Sequence, residues 1–467
     1  MNGLLLPLPE TILVVLGLFL LGRRWRAARR GGGLVVAGTL AALLLEFVLP
    51  RQSGFYGFGL YLWDGTALFF QVFVLAATAC CALLGLLTGA RPRWPFLLFS
   101  AAGLVLQAAV NDFLLLFLAW TASFLPAALA LAGGREASAA EEEASVKTLF
   151  LAMVGGVLLA LGIALIFGVA GSTRFDVVAG VLETHDLTPA LAAGLLLVLA
   201  GLGFTIGAVP FHFWAPDAQQ GASIPLSAFL AVAFKGAGCA ALLRVLDLPF
   251  GGVAVEGVAL AALALTAVLS LALGSLAGLP QRNGKRLLGY AGIAHAGFFL
   301  AALAANSRAG SHALCFLLVS YFLAVFPVLA AIALSASPTG GRPQPGTLAA
   351  FAGLGRRAPL LAWAAALGLA SLAGIPPLPG FFARFLIVAA AWQGGQYGVA
   401  AAAVLFSVPL LYGALALIRA IFVEEPAEEA PLRLEPGMRA FLAGGVGVTL
   451  FCGLWPGPLL AWLGRLF

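Results

Sequence analysis

Apolar residues run through this chain in long blocks, interrupted by short polar or Gly/Pro-rich loops rather than alternating with charge at every turn. Blocks near twenty residues match the ~30 Å hydrocarbon core of a bilayer, and where backbone groups must find partners inside the segment only helices fit runs of that length. The blocks predict about fourteen spanning helices. They lie at 4–22, 33–50, 60–88, 94–110, 112–132, 146–169, 190–209, 222–246, 254–279, 286–305, 310–335, 358–377 with a continuation to 393, 397–423 and 440–463. The first block does not read as a secretory leader: Pro7, Pro9 and Glu10 precede the apolar run and the arginine cluster follows it, the reverse of leader order. The expectation is one all-α polytopic membrane domain over 1–467.

Two segments break the helical pattern. One is Ala208-Val209-Pro210-Phe211-His212-Phe213-Trp214-Ala215-Pro216-Asp217, beside the seventh span; the other is Gly374-Ile375-Pro376-Pro377-Leu378-Pro379-Gly380, inside the twelfth. Proline removes a donor and frees a carbonyl, which lipid tolerates only when the break is buried in protein or lines a wet cavity. A matched pair five helices apart is the mark of transporter repeats. The pattern predicts two five-helix repeats, spans 4–8 (94–246) and 9–13 (254–423). Because five is odd, the second would be inverted relative to the first, with Pro210, His212, Pro376 and Pro377 at the breaks. The competing reading is that these prolines merely kink packed helices.

Composition agrees with a membrane protein. Hydrophobic residues make up 62% and charged residues 9%, against about 25% charged in soluble domains, so a water-soluble fold is excluded. The five cysteines sit mostly in apolar runs without metal-site or disulfide spacing, which makes them packing residues and leaves no metal cluster in view. The high isoelectric point, near 9.3, does not signal nucleic acid, because the arginines are scattered through loops rather than gathered on one basic, aromatic-bearing face. Basic residues in short loops are held on the cytoplasmic side. Alternate loops separate into a rich set (Arg23, Arg24, Arg26, Arg29, Arg30, Arg91, Arg93, Arg135, Arg282, Lys285, Arg286, Arg342, Arg356, Arg357, Arg419, Arg433, Arg439) and a poor one (Arg51, Arg174, Arg244, Arg308, Arg465). With fourteen spans, both termini fall outside.

Three lysines stand among 25 basic residues. Lys235 lies in mid-helix, in Phe234-Lys235-Gly236-Ala237-Gly238, where a charge costs several kcal/mol and cannot snorkel to water. Burial lowers a lysine's pKa, so such a group exchanges protons near neutrality, which arginine does not. The bland alternative is a structural charge paired with helix carbonyls or one carboxylate. His295, in Ile293-Ala294-His295-Ala296-Gly297, is a candidate relay or a hydrogen-bonded packing histidine. Arg384, after the second break, supplies a fixed field. Lys147 closes the acidic stretch Glu141-Glu142-Glu143 at the inner mouth of the sixth span, as a relay entrance or an interfacial snorkelling lysine. Lys285 reads more simply as a topological determinant beside the headgroups.

In order along the chain, Leu8-Pro9-Glu10, Ala144-Ser145-Val146-Lys147, Ala170-Gly171-Ser172-Thr173, Val209 to Asp217, Ala233 to Gly238, Lys285 to Tyr290 with Ile293 to Gly297, Leu372 to Pro377 and Gly453 to Gly457 resemble the subunit N family of NADH-quinone oxidoreductases, the antiporter-like membrane subunits of respiratory complex I. The resemblance implies a membrane-arm subunit in a bacterial inner membrane, partnered by other membrane subunits and lipid. Quinone reduction elsewhere would drive protons through buried charges. It also implies that NADH, FMN, iron–sulfur clusters and quinone belong to partner subunits, in keeping with the lack of a nucleotide-binding glycine loop or metal-ligand cluster in the sequence. The chain ends just past the fourteenth span, unlike the L-type subunit with its lateral helix or the largest antiporter subunit.

The chain departs from that family's pattern in three places. Thr121 stands where a helix-5 Glu is expected, Thr205 where its partner Lys is expected, and Arg384 where a Lys follows the second break. Losing one partner of a buried pair leaves a bare charge at about 3–5 kcal/mol, so joint loss is the tolerable route. Two further readings stay open: a structural subunit that passes no ions, and a subunit of a multisubunit cation/proton antiporter or membrane-bound hydrogenase.

Overall fold

The computed structural model describes residues 7–22, 28–49, 52–90, 92–132, 138–184, 188–251, 253–335, 348–426 and 431–466. Of the basic residues used to orient the chain, Arg23, Arg24, Arg26, Arg51, Arg91, Arg135 and Arg342 lie outside these. The described chain is overwhelmingly helical: α1 (Leu8–Gly22), α2 (Ala28–Val48), α3 (Gly65–Thr88), α4 (Trp94–Gln107), α5 (Phe113–Leu131), α6 (Ala139–Ala170), α7 (Phe175–Thr184), α8 (Pro189–Ile206), α9 (Trp214–Gly221), α10 (Ile224–Asp247), α11 (Val253–Gly278), α12 (Gly284–Ala304), α13 (Arg308–Ser335), α14 (Leu354–Arg357), α15 (Pro359–Ala373), α16 (Pro379–Gln393), α17 (Tyr397–Leu405), α18 (Ser407–Phe422), α19 (Pro436–Leu454) and α20 (Gly457–Leu466). Among these residues, eleven stretches are long and apolar enough to cross a bilayer, α17 and α18 counting as one, and α1, α4 and α15 are shorter apolar helices.

Polar residues at the boundaries decide where the helices begin. Asp64 accepts from the Ala67 amide, Asp112 from the Leu114 and Leu115 amides, and Asn283 from the Lys285 and Arg286 amides. Ser138 and Glu141 close a capping box on α6, which satisfies amide donors that have no partner inside the helix. Gly89, Gly171, Gly207 and Gly374 end helices in the left-handed region.

The structure departs from the sequence expectation in several places. The 60–88 span does not begin at 60: residues Gly54–Tyr56 and Tyr61–Trp63 form a two-stranded antiparallel hairpin with Phe55 opposite Leu62, and the Asp64 cap starts α3 only afterwards. The loop after the sixth span holds α7, whose Phe175 packs edge-on against Phe113 at 4.6 Å. The 397–423 span is divided at Phe406, and the last span is divided at Trp455-Pro456, where proline blocks continuation. The end of the first break, 214–217, together with the loop to 221 forms α9.

Burial is most complete on one element. Every residue of the most apolar 18-residue stretch of α10 is buried inside the protein, against about a third for α11. It packs against α3, α8, α12 and α13, so the helix carrying Lys235 is the most enclosed of the spans. All five cysteines are free thiols, four of them buried.

Candidate functional site

The site grows out of the two chain breaks. α8 stops at Gly207, which has φ +69°, and the chain runs without helix to Trp214. A helix end leaves carbonyls without donors and carries partial negative charge. Lys235 answers this: its Nζ donates to the Ile206 carbonyl at 2.6 Å. It is 6% exposed, and among the described residues no carboxylate lies within ion-pair distance of it. The second break repeats the arrangement with different parts. α15 stops at Gly374, φ +79°, and Arg384 on α16 donates to the Ala373 carbonyl at 2.7 Å and to the Leu372 carbonyl. Its guanidinium also lies 4.6 Å over the Phe298 ring. A side chain at either glycine would meet the cation: a Cβ on Gly374 would sit 3.0 Å from Arg384 Cδ, and one on Gly207 4.0 Å from Lys235 Nζ.

His295, on α12 and 2% exposed, has its ring 6.0 Å from that of Phe298, over which Arg384 sits, and lies one helical turn from Gly292, beside which Lys235 Nζ comes. Its Nδ1 is 2.8 Å from the Ala291 carbonyl, and its ring lies 4.8 Å from that of Tyr321 on α13. Lys235, His295 and Arg384 are therefore assembled along the buried interior. Beside His295, a cavity of about 60 Å³ with mostly apolar walls runs past Gly278, Leu287, Leu372 and Gly413. His212 is also buried, 6% exposed, in the first break, and its ring lies tilted against that of Phe213 at 4.3 Å. Val209 in the same break donates its amide to Ser270 Oγ at 2.9 Å. The Val209–Pro210 and Pro376–Pro377 peptides are both cis.

Lys147 stands apart from this line. Its side chain is 45% exposed and pairs with Glu143 at 2.5 Å and with Asp217 of α9 at 3.1 Å. Asp217 also takes Arg286 at 2.5 Å, and Lys285 donates to the Ala222 carbonyl at 2.7 Å. These charges fasten short α9 between α6 and α12.

The two threonines do not face each other as a pair. Thr121 donates to its own helix, to the Phe117 carbonyl at 2.9 Å. Thr205 is buried and accepts from Trp120 Nε1 at 2.9 Å. Around it Trp120, Phe124, Phe204, Trp214 and Phe234 form a continuous aromatic cluster with centroid separations of 4.6 to 6.2 Å. Apolar rings thus fill the space around the substituted position.

Sequence reasoning missed Tyr321 and Trp120. Tyr321 carried a usable signal, a polar-tipped ring in mid-span within Leu317-Leu318-Val319-Ser320-Tyr321. Trp120 carried none, since its partner lies 85 residues away.

Residues 110–409 match the family model described as NADH:quinone oxidoreductase/Mrp antiporter, TM. The chain is 37% identical to NADH-quinone oxidoreductase subunit N of Acidothermus cellulolyticus, over 79% of this chain and 70% of that one. It is 32% identical to NADH-quinone oxidoreductase subunit N of Desulforamulus reducens, over 96% and 95%. Its backbone matches a chain of respiratory complex I from Thermus thermophilus with a TM-score of 0.81 at 32% identity, covering 97% of this chain and 98% of that one.

Proposed function

The chain belongs to the NADH:quinone oxidoreductase/Mrp antiporter transmembrane family, among the subunit N proteins, and from that premise we propose that it is a membrane-arm subunit of a complex I-like NADH:quinone oxidoreductase, taking part in redox-driven proton translocation. Lys235 and His295 are its exchangeable groups and Arg384 its fixed charge. The observation that carries this reading is an ammonium on the most enclosed helix, answered by a carbonyl and, among the described residues, by no carboxylate. A lone buried charge works against stability, so its presence calls for a function. Arg384 at the corresponding place in the second half supports the two-repeat organisation, 94–246 and 254–423, with the eleven long stretches and three shorter apolar helices making fourteen crossings. In this reading the termini face the periplasm of a bacterial inner membrane. Lys147 and its partners Asp217 and Arg286 mark the cytoplasmic end. The chain has no redox centre of its own; NADH, FMN, iron–sulfur clusters and quinone are handled by its partners.

A second reading, a structural subunit that conducts nothing, is favoured by the Thr205–Trp120 hydrogen bond and the aromatic cluster around it. The test is the proton-to-electron ratio of the assembly reconstituted in vesicles, wild type against Lys235→Ala at equal assembly. A lowered ratio supports conduction; an unchanged ratio removes it and leaves the structural reading.

A further inference from the structure

Tyr321 is 1% exposed, and among the described residues its hydroxyl has no hydrogen-bond partner. A buried hydroxyl left unpaired in a well-packed interior is unusual and asks for an explanation. Its surroundings supply one. A Cβ built on Gly292 of α12 would lie 3.1 Å from the Tyr321 hydroxyl oxygen and 3.5 Å from Lys235 Nζ. Two polar groups from α10 and α13 therefore converge on the same bare patch of α12 backbone, not bonded to each other but close enough for a bridging water to join them. On the other side the Tyr321 ring lies 4.8 Å from His295, one turn along α12 from Gly292. His295 is set up to receive: a carbonyl only accepts, so the 2.8 Å contact from Nδ1 to Ala291 O puts the imidazole proton on Nδ1 and leaves the lone pair on Nε2.

We propose that Tyr321 is a hydroxyl relay between Lys235 and His295, with Gly292 keeping the approach open; this deepens, and rests on, the proton-translocating reading above. In the forward step an N–H bond of the Lys235 ammonium breaks as its proton joins a bridging water, which passes one of its own protons to the Tyr321 oxygen. The hydroxyl's own proton passes to a second water, which gives one of its protons to His295 Nε2. Lysine ends as a neutral amine, histidine as imidazolium, and tyrosine as neutral as it began. The hydroxyl therefore works as donor and acceptor together and is never required to ionise.

The experiment compares wild type, Tyr321→Phe, Lys235→Ala and the double variant in the reconstituted assembly, reading protons pumped per electron in the correctly assembled fraction. Tyr321→Phe keeps the ring and its packing and removes one oxygen. The relay predicts that it removes the same share of pumping as Lys235→Ala, and that the double variant loses nothing further. A tyrosine that merely packs would change yield or thermal stability and leave the ratio of the assembled fraction at the wild-type value. Wild-type pumping in Tyr321→Phe beside a deficient Lys235→Ala overturns the relay alone; wild-type pumping in both overturns the translocation reading too. Should Tyr321→Phe fail to assemble, Gly292→Ala decides, since the added methyl presses on the Tyr321 hydroxyl and Lys235 without removing either. Unchanged pumping there also overturns the relay.

Discussion

Replacing Lys235 by methionine separates the structural from the functional account of that residue, because the two predict opposite changes in stability. Methionine keeps the length and flexibility of the lysine stem and drops the charge. What is lost is a single hydrogen bond from a charged donor to the Ile206 carbonyl; bonds of that kind contribute about 1.5–3 kcal/mol. What is relieved is the burial of an ammonium 6% exposed with no carboxylate partner among the described residues, a penalty of several kcal/mol per ion even after relaxation. Relief matches or exceeds loss, so Lys235→Met is expected to be between neutral and about 3 kcal/mol more stable, in the range seen when buried ions give way to apolar residues. Cys239, a buried free thiol one turn along the same helix, offers a local reporter. Its labelling in the intact assembly, followed by mass spectrometry at raised temperature, should be unchanged or slower by up to about a hundredfold, at tenfold per 1.4 kcal/mol. The proton-to-electron ratio should fall in the same sample. Faster labelling of the variant would refute the reasoning and make Lys235 a structural clamp.

Thr205→Lys alone should strip the assembly of this subunit, since it places an uncompensated charge among aromatic rings at about 3–5 kcal/mol; adding Thr121→Glu should recover part of the loss, read as subunit retention on a native gel. Gly374→Ala should disturb the protein more than Gly207→Ala: both force an alanine into positive φ at roughly 1–2 kcal/mol, but the former also presses its methyl to 3.0 Å from Arg384 Cδ, whereas the latter makes only ordinary contacts, with the Ala215 methyl at 3.4 Å and Lys235 Nζ at 4.0 Å. Comparable thermal inactivation of the two variants would contradict this. At the far end of α6 from Lys147, partial burial works against ionisation of Asp176, but the hydrogen bonds and charge of Arg174 outweigh it and hold the carboxyl below its usual range. Stability from a lowered carboxyl pKa is present above the unfolded value and lost as pH falls through the folded one. Hydrogen-exchange protection of α7 should therefore hold down to about pH 4 and decline below it, and Asp176→Asn should abolish that pH dependence.

The long spans were legible because crossing a bilayer imposes a length that shows directly in the sequence. Lys235 was legible for the same reason, as one charge in the middle of Leu230 to Gly238. The breaks were visible in Pro210 and Pro376-Pro377, since proline acts locally. What lay beyond reading depends on partners far along the chain. The hairpin at 54–63 is secured by Leu62 bonding to the Ala109 carbonyl and by Asn111 bonding to the Leu60 carbonyl, and neither contact leaves a local pattern. Short α9 depends on Asp217 meeting Lys147 and Arg286, 70 and 69 residues away. The pairing of Thr205 with an indole looked like simple loss of an ion pair. In the folded chain the vacated place holds a different hydrogen bond and a dense aromatic lining.

The two chain breaks are closed by unlike fasteners. Arg384 grips two carbonyls with a group that never gives up its charge, so the second joint is bolted. Lys235 holds one carbonyl through a group able to shed a proton, so the first joint is latched. On the proton-translocating reading, a movement geared to proton arrival would act at the first break, with the second held by a charge that does not change.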